Sequence, residues 1–248
     1  VYGRWNNGVI TINIPHVALE AQKEVKEGEN LIGKFFEIFT ERMELVHEGL
    51  KVRHDHCKTI VAKNSPILWQ HGALARMPEN MTLAEYMDEH PTLCTISVGY
   101  VGLYETCEAL IGQSNTTDEG RELSKRILSY MNEMCTNWKL EDGINYAIYG
   151  TPAENLCGLQ VHQFRKKYGI IENVSDREYV SNGFHCHVTE DITPIQKQDL
   201  ENRFWNLSNG GKIQYVKYPI DYNIGAIKTL IRRAMDFGFY EGVNMSLA

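Results

Sequence analysis

Short stretches of alternating apolar residues along the chain give way to longer stretches in which apolar residues recur at steps of three and four. In Gly8-Val9-Ile10-Thr11-Ile12-Asn13-Ile14 β-branched and small residues alternate, which predicts a strand that Pro15 ends. Leu31, Ile32, Phe35, Phe36, Phe39, Met43, Val46 and Leu50 then keep helical spacing, with Lys34, Glu37, Glu41, Arg42 and Glu44 on the opposite side. The aromatic stripe Phe35, Phe36, Phe39 reads as core or a helix–helix contact. Around Pro66 the pattern breaks into a loop. Further strands are predicted at Thr95–Tyr100, Asn145–Tyr149, Tyr179–Val188, Ile213–Tyr218 and Gly242–Leu247. Helices are predicted between them, near Glu105–Ile111, over Glu119–Met134, from the 150s to about Tyr168, and over Pro194–Leu207 and Ile224–Phe237. Strands alternating with helices imply mainly parallel pairing with the helices outside, an α/β fold in one domain; an open sheet and a half-barrel fit the pattern equally well.

Composition narrows the function. Of 248 residues, 43% are hydrophobic and 23% charged, enough for a sizeable core. With 25 Lys+Arg against 32 Asp+Glu the formal net charge is -7, which excludes a surface that coats DNA or RNA but leaves room for a local anion pocket. Six cysteines, with no CxxC pair, read as reduced thiols of an intracellular protein. No apolar run reaches membrane-span length, and Val1-Tyr2-Gly3-Arg4-Trp5 lacks the form of a signal peptide. There is no initiator Met, and Val243–Ala248 stops in mid-run, so the expectation is part of a longer protein.

Three segments carry candidate chemistry. Gly150-Thr151-Pro152-Ala153-Glu154 follows a strand and offers an N-cap at Thr151, proline at the first helical position and a capping-box Glu154. The same geometry, a glycine turn into a helix N-terminus at the edge of a parallel sheet, also suits a phosphate, with Glu154 as a carboxylate beside it. Ser181-Asn182-Gly183-Phe184-His185-Cys186-His187 places small polar residues where a ligand can approach closely. His185 and His187 would share one face of a strand, half of a metal site at most, and no metal is expected. Arg4-Trp5-Asn6-Asn7-Gly8 leads to Asn13, whose amide must order a site or satisfy backbone if buried. Two further groups have bland readings. Thr193-Pro194-Ile195-Gln196 is a structural capping box, and His54-Asp55-His56-Cys57 is a solvated end following the long helix.

Taken in order, RWNNGVITINIPHVALEA (4–21), TISVGYVGLYE (95–105), YGTPAENLC (149–157), SNGFHCHV (181–188), ITPIQKQDLENRF (192–204) and NGGKIQYV (209–216) resemble the large chain of anaerobic (class III) ribonucleoside-triphosphate reductases, glycyl radical enzymes. The resemblance implies half of a ten-stranded α/β barrel, the C-terminal half-barrel of five parallel strands. It implies reduction of ribonucleotides to deoxyribonucleotides for DNA synthesis: a thiyl radical removes the 3′ hydrogen, the 2′-OH leaves as water, and formate or a thiol system supplies electrons. Carried over, Tyr149 and Glu154 match a functional Tyr and Glu on a substrate-side loop that also includes Gly150, Thr151, Pro152 and Ala153. Ser181, Asn182 and Gly183 match a phosphate-holding loop that usually reads Thr-Asn-Ser, so Gly183 lacks one hydroxyl. Asn7 and Asn13 match the segment entering the first strand.

The resemblance further implies a radical-SAM activating enzyme as partner, a homodimer, ATP and dNTP effectors, and a cytoplasmic setting in a bacterium or phage. No direct nucleic-acid or membrane partner is expected. The thiyl cysteine should precede the RWNNG segment, the glycyl-radical loop and a CxxC zinc site should follow Ala248, and the nucleotide-binding ATP cone should lie elsewhere. Residues 1–248 are therefore expected to form one barrel portion that is inactive alone and exposes an apolar flank. Two alternatives stand: another glycyl radical enzyme related to pyruvate formate-lyase, or a non-catalytic partner chain of a split reductase.

Overall fold

The computed structural model describes residues 3–218, 223–236 and 243–247; Phe237, Gly242, Ala248 and the side chains of Glu154, 216–218 and 243–247 lie outside the described residues. Three strands, β1 (Trp5–Asn13), β2 (Cys94–Val101) and β3 (Asn145–Gly150), form a parallel sheet in chain order. A second parallel ladder joins β4 (Gln214–Tyr218) to β5 (Val243–Leu247). The two meet at the residues just before β4. Gly211 bridges Tyr149 in the parallel sense, the Gly210 N–H donates to the Ile148 carbonyl at 2.6 Å, and the Gly150 N–H donates to the Gly211 carbonyl at 3.0 Å. Parallel strands following one another in chain order agree with the expected α/β half-barrel.

Strand pairing sorts the side chains onto two faces. Ile10, Val98 and Ile148 are in register, as are Ile12 and Tyr100, and this face packs under α1 (Ile14–Glu24), α2 (Leu31–Thr59), α5 (Leu103–Ile111) and α6 (Asp118–Asp142). Phe35, Phe39, Met43, Leu50, Ile127, Leu128 and Met131 are fully buried there, as the apolar stripe predicts. The opposite face carries Val9, Thr11 and Asn13, then Thr95, Ser97 and Gly99, then Ala147 and Tyr149. These are mostly small or polar residues. A sheet face without large apolar side chains is not built to be covered by a helix, and it leaves space for a ligand.

Several elements depart from the sequence reading. The helix α2 continues to Thr59, so His54–Cys57 form its last turns rather than a segment after it; His54 is buried against β1. The loop around Pro66 contains a 3-10 turn at Ala62–Asn64 and a short α3 (Pro66–Trp69). With α4 (Leu83–Glu89) they enclose a second small core of Ala62, Trp69, Met77, Leu83, Tyr86 and Met87. The strand predicted over Tyr179–Val188 does not form. Gly183 sits at φ +47°, and the backbone of this segment is engaged singly: the Gly102 N–H reaches Ser181 O and the Leu103 N–H reaches Gly183 O. Only Asn182 makes an isolated antiparallel bridge, to Val101. The helices α7 (Glu154–Tyr168), α8 (Pro194–Trp205) and α9 (Ile224–Asp236) fall where expected, and Thr193 and Gln196 complete the capping box of α8.

One polar contact ties α2 to α6 across the edge of β3. The His47 ring stacks on Trp138 at 4.3 Å, and its Nε2 lies 2.6 Å from Asp142 Oδ2, the same oxygen that accepts from the Tyr146 hydroxyl at 2.7 Å. Burial opposes ionisation of Asp142, but the His47 and Tyr146 hydrogen bonds outweigh it and hold the carboxyl below its ordinary value of 3.8. A depressed folded value means that this contribution is present above 3.8 and lost as the pH falls below it. Asp142→Asn is therefore expected to lower stability at neutral pH by about 1–3 kcal/mol, the range for hydrogen bonds to a charged group. The difference from wild type in urea unfolding should shrink once the pH falls below the Asp range.

Candidate functional site

The C-terminal ends of β1, β2 and β3 lie side by side, the edge where ligands of parallel α/β sheets gather. Gly99, in the middle strand, is in register with Thr11 on one side and Tyr149 on the other. A Cβ there would collide with Thr11 Oγ1 and Thr151 Oγ1 and stand 2.8 Å from Val9 Cγ1. The glycine thus lets two hydroxyls from different strand ends meet above it, Thr11 Oγ1 to Thr151 Oγ1 at 3.1 Å. Further down the same face, Asn6 Nδ2 donates to Ser97 Oγ at 2.8 Å and Arg4 Nε donates to Thr95 Oγ1 at 2.9 Å.

The turn after β3 and the segment around residue 182 form one unit. The side-chain oxygen of Asn182 accepts from the Ala153 N–H at 2.9 Å and from the Cys157 thiol at 3.0 Å. A Cβ added to Gly183 would stand 3.1 Å from Gly150 Cα, so these two backbones touch. Behind them, Oε1 of the buried Glu105 accepts both the N–H (2.8 Å) and the hydroxyl (3.0 Å) of Ser181. The structure therefore brings together Tyr149, Gly150, Thr151, Pro152 and Ala153 with Ser181, Asn182 and Gly183. Tyr149 lies on the polar face with its ring against Gly211.

Other expectations are corrected. Thr151 does not cap α7: the N-cap is Ala153, without a side-chain cap, because the Thr151 hydroxyl is engaged with Thr11 and with the Tyr149 carbonyl. Glu154 opens the helix, and its side chain lies outside the described residues. Asn13 satisfies backbone, capping α1 by accepting the His16 N–H at 3.1 Å at the end of the polar face. Asn7 is separated from the rest. A bulge between Asn6 and Val9 turns it toward α2, where its Nδ2 is 3.4 Å from His54 Nδ1, and it is Asn6 that occupies the polar face.

His185 and His187 part company instead of sharing a face. His185 Nδ1 is 2.9 Å from Glu201 Oε1, a buried carboxylate that also pairs with Lys197 and accepts from Gln214 Nε2 at 3.2 Å. Burial works against ionisation of Glu201, yet Lys197 and then His185 hold it down to about 2. His187 packs on the Tyr104 ring and contacts Arg177; burial and then the Arg177 charge push its pKa to about 4, leaving it neutral at pH 7. Among the described residues no group of three or more His, Cys, Asp or Glu is placed to hold a metal ion. The 179–197 excursion instead encloses a cavity of about 310 Å³ lined by Ser181, Asn182, His185, Cys186, Lys197 and Tyr215 among others.

Sequence reasoning missed two features. The small-residue face was written in the alternation of Thr95, Ser97 and Gly99 with Ile96, Val98 and Tyr100. Glu105 was read only as a helix start, although a glycine three residues before an acidic side chain marks a helix N-terminus that can hold a carboxylate. One prediction follows from the Gly150–Gly183 contact. Gly183→Ala keeps the polarity of the segment but adds a methyl group at positive φ against backbone, and should lower stability by about 1–2 kcal/mol in thermal unfolding.

The family model described as "Anaerobic ribonucleoside-triphosphate reductase" matches residues 1–244. The anaerobic ribonucleoside-triphosphate reductase of Enterobacteria phage T4 is 34% identical over 245 residues, 98% of this chain and 38% of the phage protein. That of Escherichia coli is 31% identical over 246 residues, again 98% of this chain and 33% of the relative. The anaerobic ribonucleotide reductase from Thermotoga maritima, solved in complex with dATP and CTP, superposes with a TM-score of 0.67 over 93% of this chain and 35% of its own, at 19% identity, which speaks for the fold. The chain spans about a third of the length of the curated relatives it matches.

Proposed function

Since the chain belongs to the anaerobic ribonucleoside-triphosphate reductase family, we propose that it forms one barrel portion of such an oxidoreductase and receives a ribonucleoside triphosphate at the C-terminal edge of β1–β3. The observation that carries this reading is the joining of two separate segments, Gly150–Ala153 and Ser181–Gly183, through Asn182 into one small-residue, backbone-rich cradle. The helix α7 begins there without a side-chain cap, so its first N–H groups and dipole favour an anion. Phosphates rest against this end of α7 and the Ser181–Gly183 segment. The ribose lies over the Thr11–Thr151 hydroxyl pair, within reach of Tyr149 and Asn13. Glu154, the first residue of α7, is assigned the carboxylate role at the reacting edge, and Asn7 supports the strand from behind.

The radical chemistry comes from a glycyl radical and a cysteine held elsewhere in the reductase. This chain's residues bind and orient the nucleotide and keep its ribose on the polar face. Its cysteines do not suit the zinc site. They include no CxxC pair, and Cys107, Cys135 and Cys157 are buried thiols pushed up to about 12 by desolvation; zinc belongs to another part of the protein. A radical-SAM activating enzyme, a second reductase subunit and nucleotide effectors complete the proposed system. A cytoplasmic location suits relatives from a bacterium and a phage, and among the described residues no helix is long and apolar enough to cross a membrane.

Two substitutions in the complete reductase test the reading. Glu154→Gln should lose turnover while equilibrium binding of CTP stays near wild type; unchanged turnover would leave Glu154 a helix-start residue only. Asn182→Ala removes the link between the two segments and should raise KM for CTP about tenfold or more, the equivalent of about 1.4 kcal/mol of lost binding.

A further inference from the structure

Glu105 lies apart from the residues assigned above, yet it is the most unusual group near them. Its carboxyl is 2% exposed at the third position of α5, whose N-cap is Gly102 at φ +79°. One oxygen takes both donors of Ser181, while the other, Oε2, has no hydrogen-bond partner among the described residues. The charged and titratable groups that face it are Arg177 from the segment before residue 180, Cys157 from α7, and Tyr104 and Cys107 from its own helix. No side chain forms a direct ion pair with it among the described contacts, and burial pushes its pKa up to about 7. This sign matters. A raised folded value means that burial of the ionised form works against folding, so the stability associated with Glu105 declines as the pH rises from 4.5 through about 7.

A glutamine could accept both Ser181 donors without burying a charge. A carboxylate retained here has its use in the stronger, charge-assisted hydrogen bonds it offers. These are directed at one residue, and from that residue the connections lead straight to the cradle. Ser181 O accepts the Gly102 N–H at 2.7 Å, the next side chain accepts the Ala153 N–H, and the residue after that touches Gly150.

We propose that Glu105 is a positioning residue whose carboxylate fixes Ser181, and through it sets Asn182 and Gly183 against the 150–153 turn in the geometry that receives the nucleotide's triphosphate. The inference rests on the proposed reading of the cradle as the triphosphate site.

The test uses the complete reductase with CTP as the probe, comparing wild type, Glu105→Gln and Asn182→Ala. At about pH 8, Glu105→Gln should unfold at the same temperature as wild type or higher, because the buried charge is gone. Its KM for CTP should nevertheless rise about tenfold, with kcat at saturation within about twofold. The ratio of the two KM values should shrink toward one as the pH falls to about 6, where wild-type Glu105 is itself protonated. A group that merely supports the fold would move unfolding temperature and activity together and would give no such pH-dependent ratio. If Asn182→Ala raises KM and Glu105→Gln does not, or if Glu105→Gln lowers the unfolding temperature in step with its KM, the positioning role is wrong while the cradle stands. If Asn182→Ala leaves KM unchanged, the triphosphate reading fails, and the role of Glu105 fails with it.

Discussion

Backbone must touch backbone where the turn after β3 meets the segment around Gly183, and the candidate site depends on that approach. A Cβ on Gly183 would stand 3.1 Å from Gly150 Cα, tighter than ordinary contact, and would sit at a positive φ. The approach is met by giving up regular structure: the 179–188 segment spends its backbone groups one at a time on Gly102 after β2, the start of α5 and the Glu105 carboxylate, while the Asn182 side chain holds the 150s turn. A regular strand would have directed those groups to a neighbouring ladder and could not have crossed the strand ends. The interior face of the sheet obeys the same rule, since Gly99 is the position where a methyl group would part Thr11 from Thr151.

Two buried carboxylates show how differently the same fold treats a negative charge. Glu201 is surrounded by partners, with Lys197, His185 and Gln214 all in contact, and stays ionised far below neutrality. Among the described residues Glu105 has the neutral Ser181 as its side-chain partner, and burial pushes its pKa up to about 7. Satisfied networks of the first kind hold elements together, here α8 with the His185 turn and β4. Incompletely satisfied groups of the second kind survive where something other than stability selects them.

Much of the fold was legible because its signals are local. The alternation in Val9–Ile14, the three-and-four spacing of Phe35, Phe39, Met43 and Leu50, and the Thr193–Gln196 capping box each specify their element from a few neighbouring residues. The failures share one cause. Thr151 has every local mark of an N-cap, and Tyr179–Val188 has the β-branched and aromatic content of a strand, but tertiary partners outbid both preferences: Thr11 takes the hydroxyl of the first, while Gly102, Leu103 and Glu105 take the backbone and side-chain groups of the second. Asn7 was misplaced for a related reason. A bulge changes the phase of a strand by one residue, and nothing in Asn6-Asn7-Gly8 fixes in advance which asparagine faces which side.

The junction of β1 and α1 has no connecting residue: Asn13 ends the strand and caps the helix, and Ile14 is already helical and fully buried. Inserting a single residue there would rotate α1 by about 100° about its axis and carry Val17, Ala18 and Ala21 out of the core. A change in length is better absorbed in the excursion between α2 and β2, whose small cluster meets the sheet at Trp5 and Cys94, the N-terminal ends of β1 and β2, away from the C-terminal strand ends. The lengths of the segments flanking Asn13 are then as constrained as their chemistry.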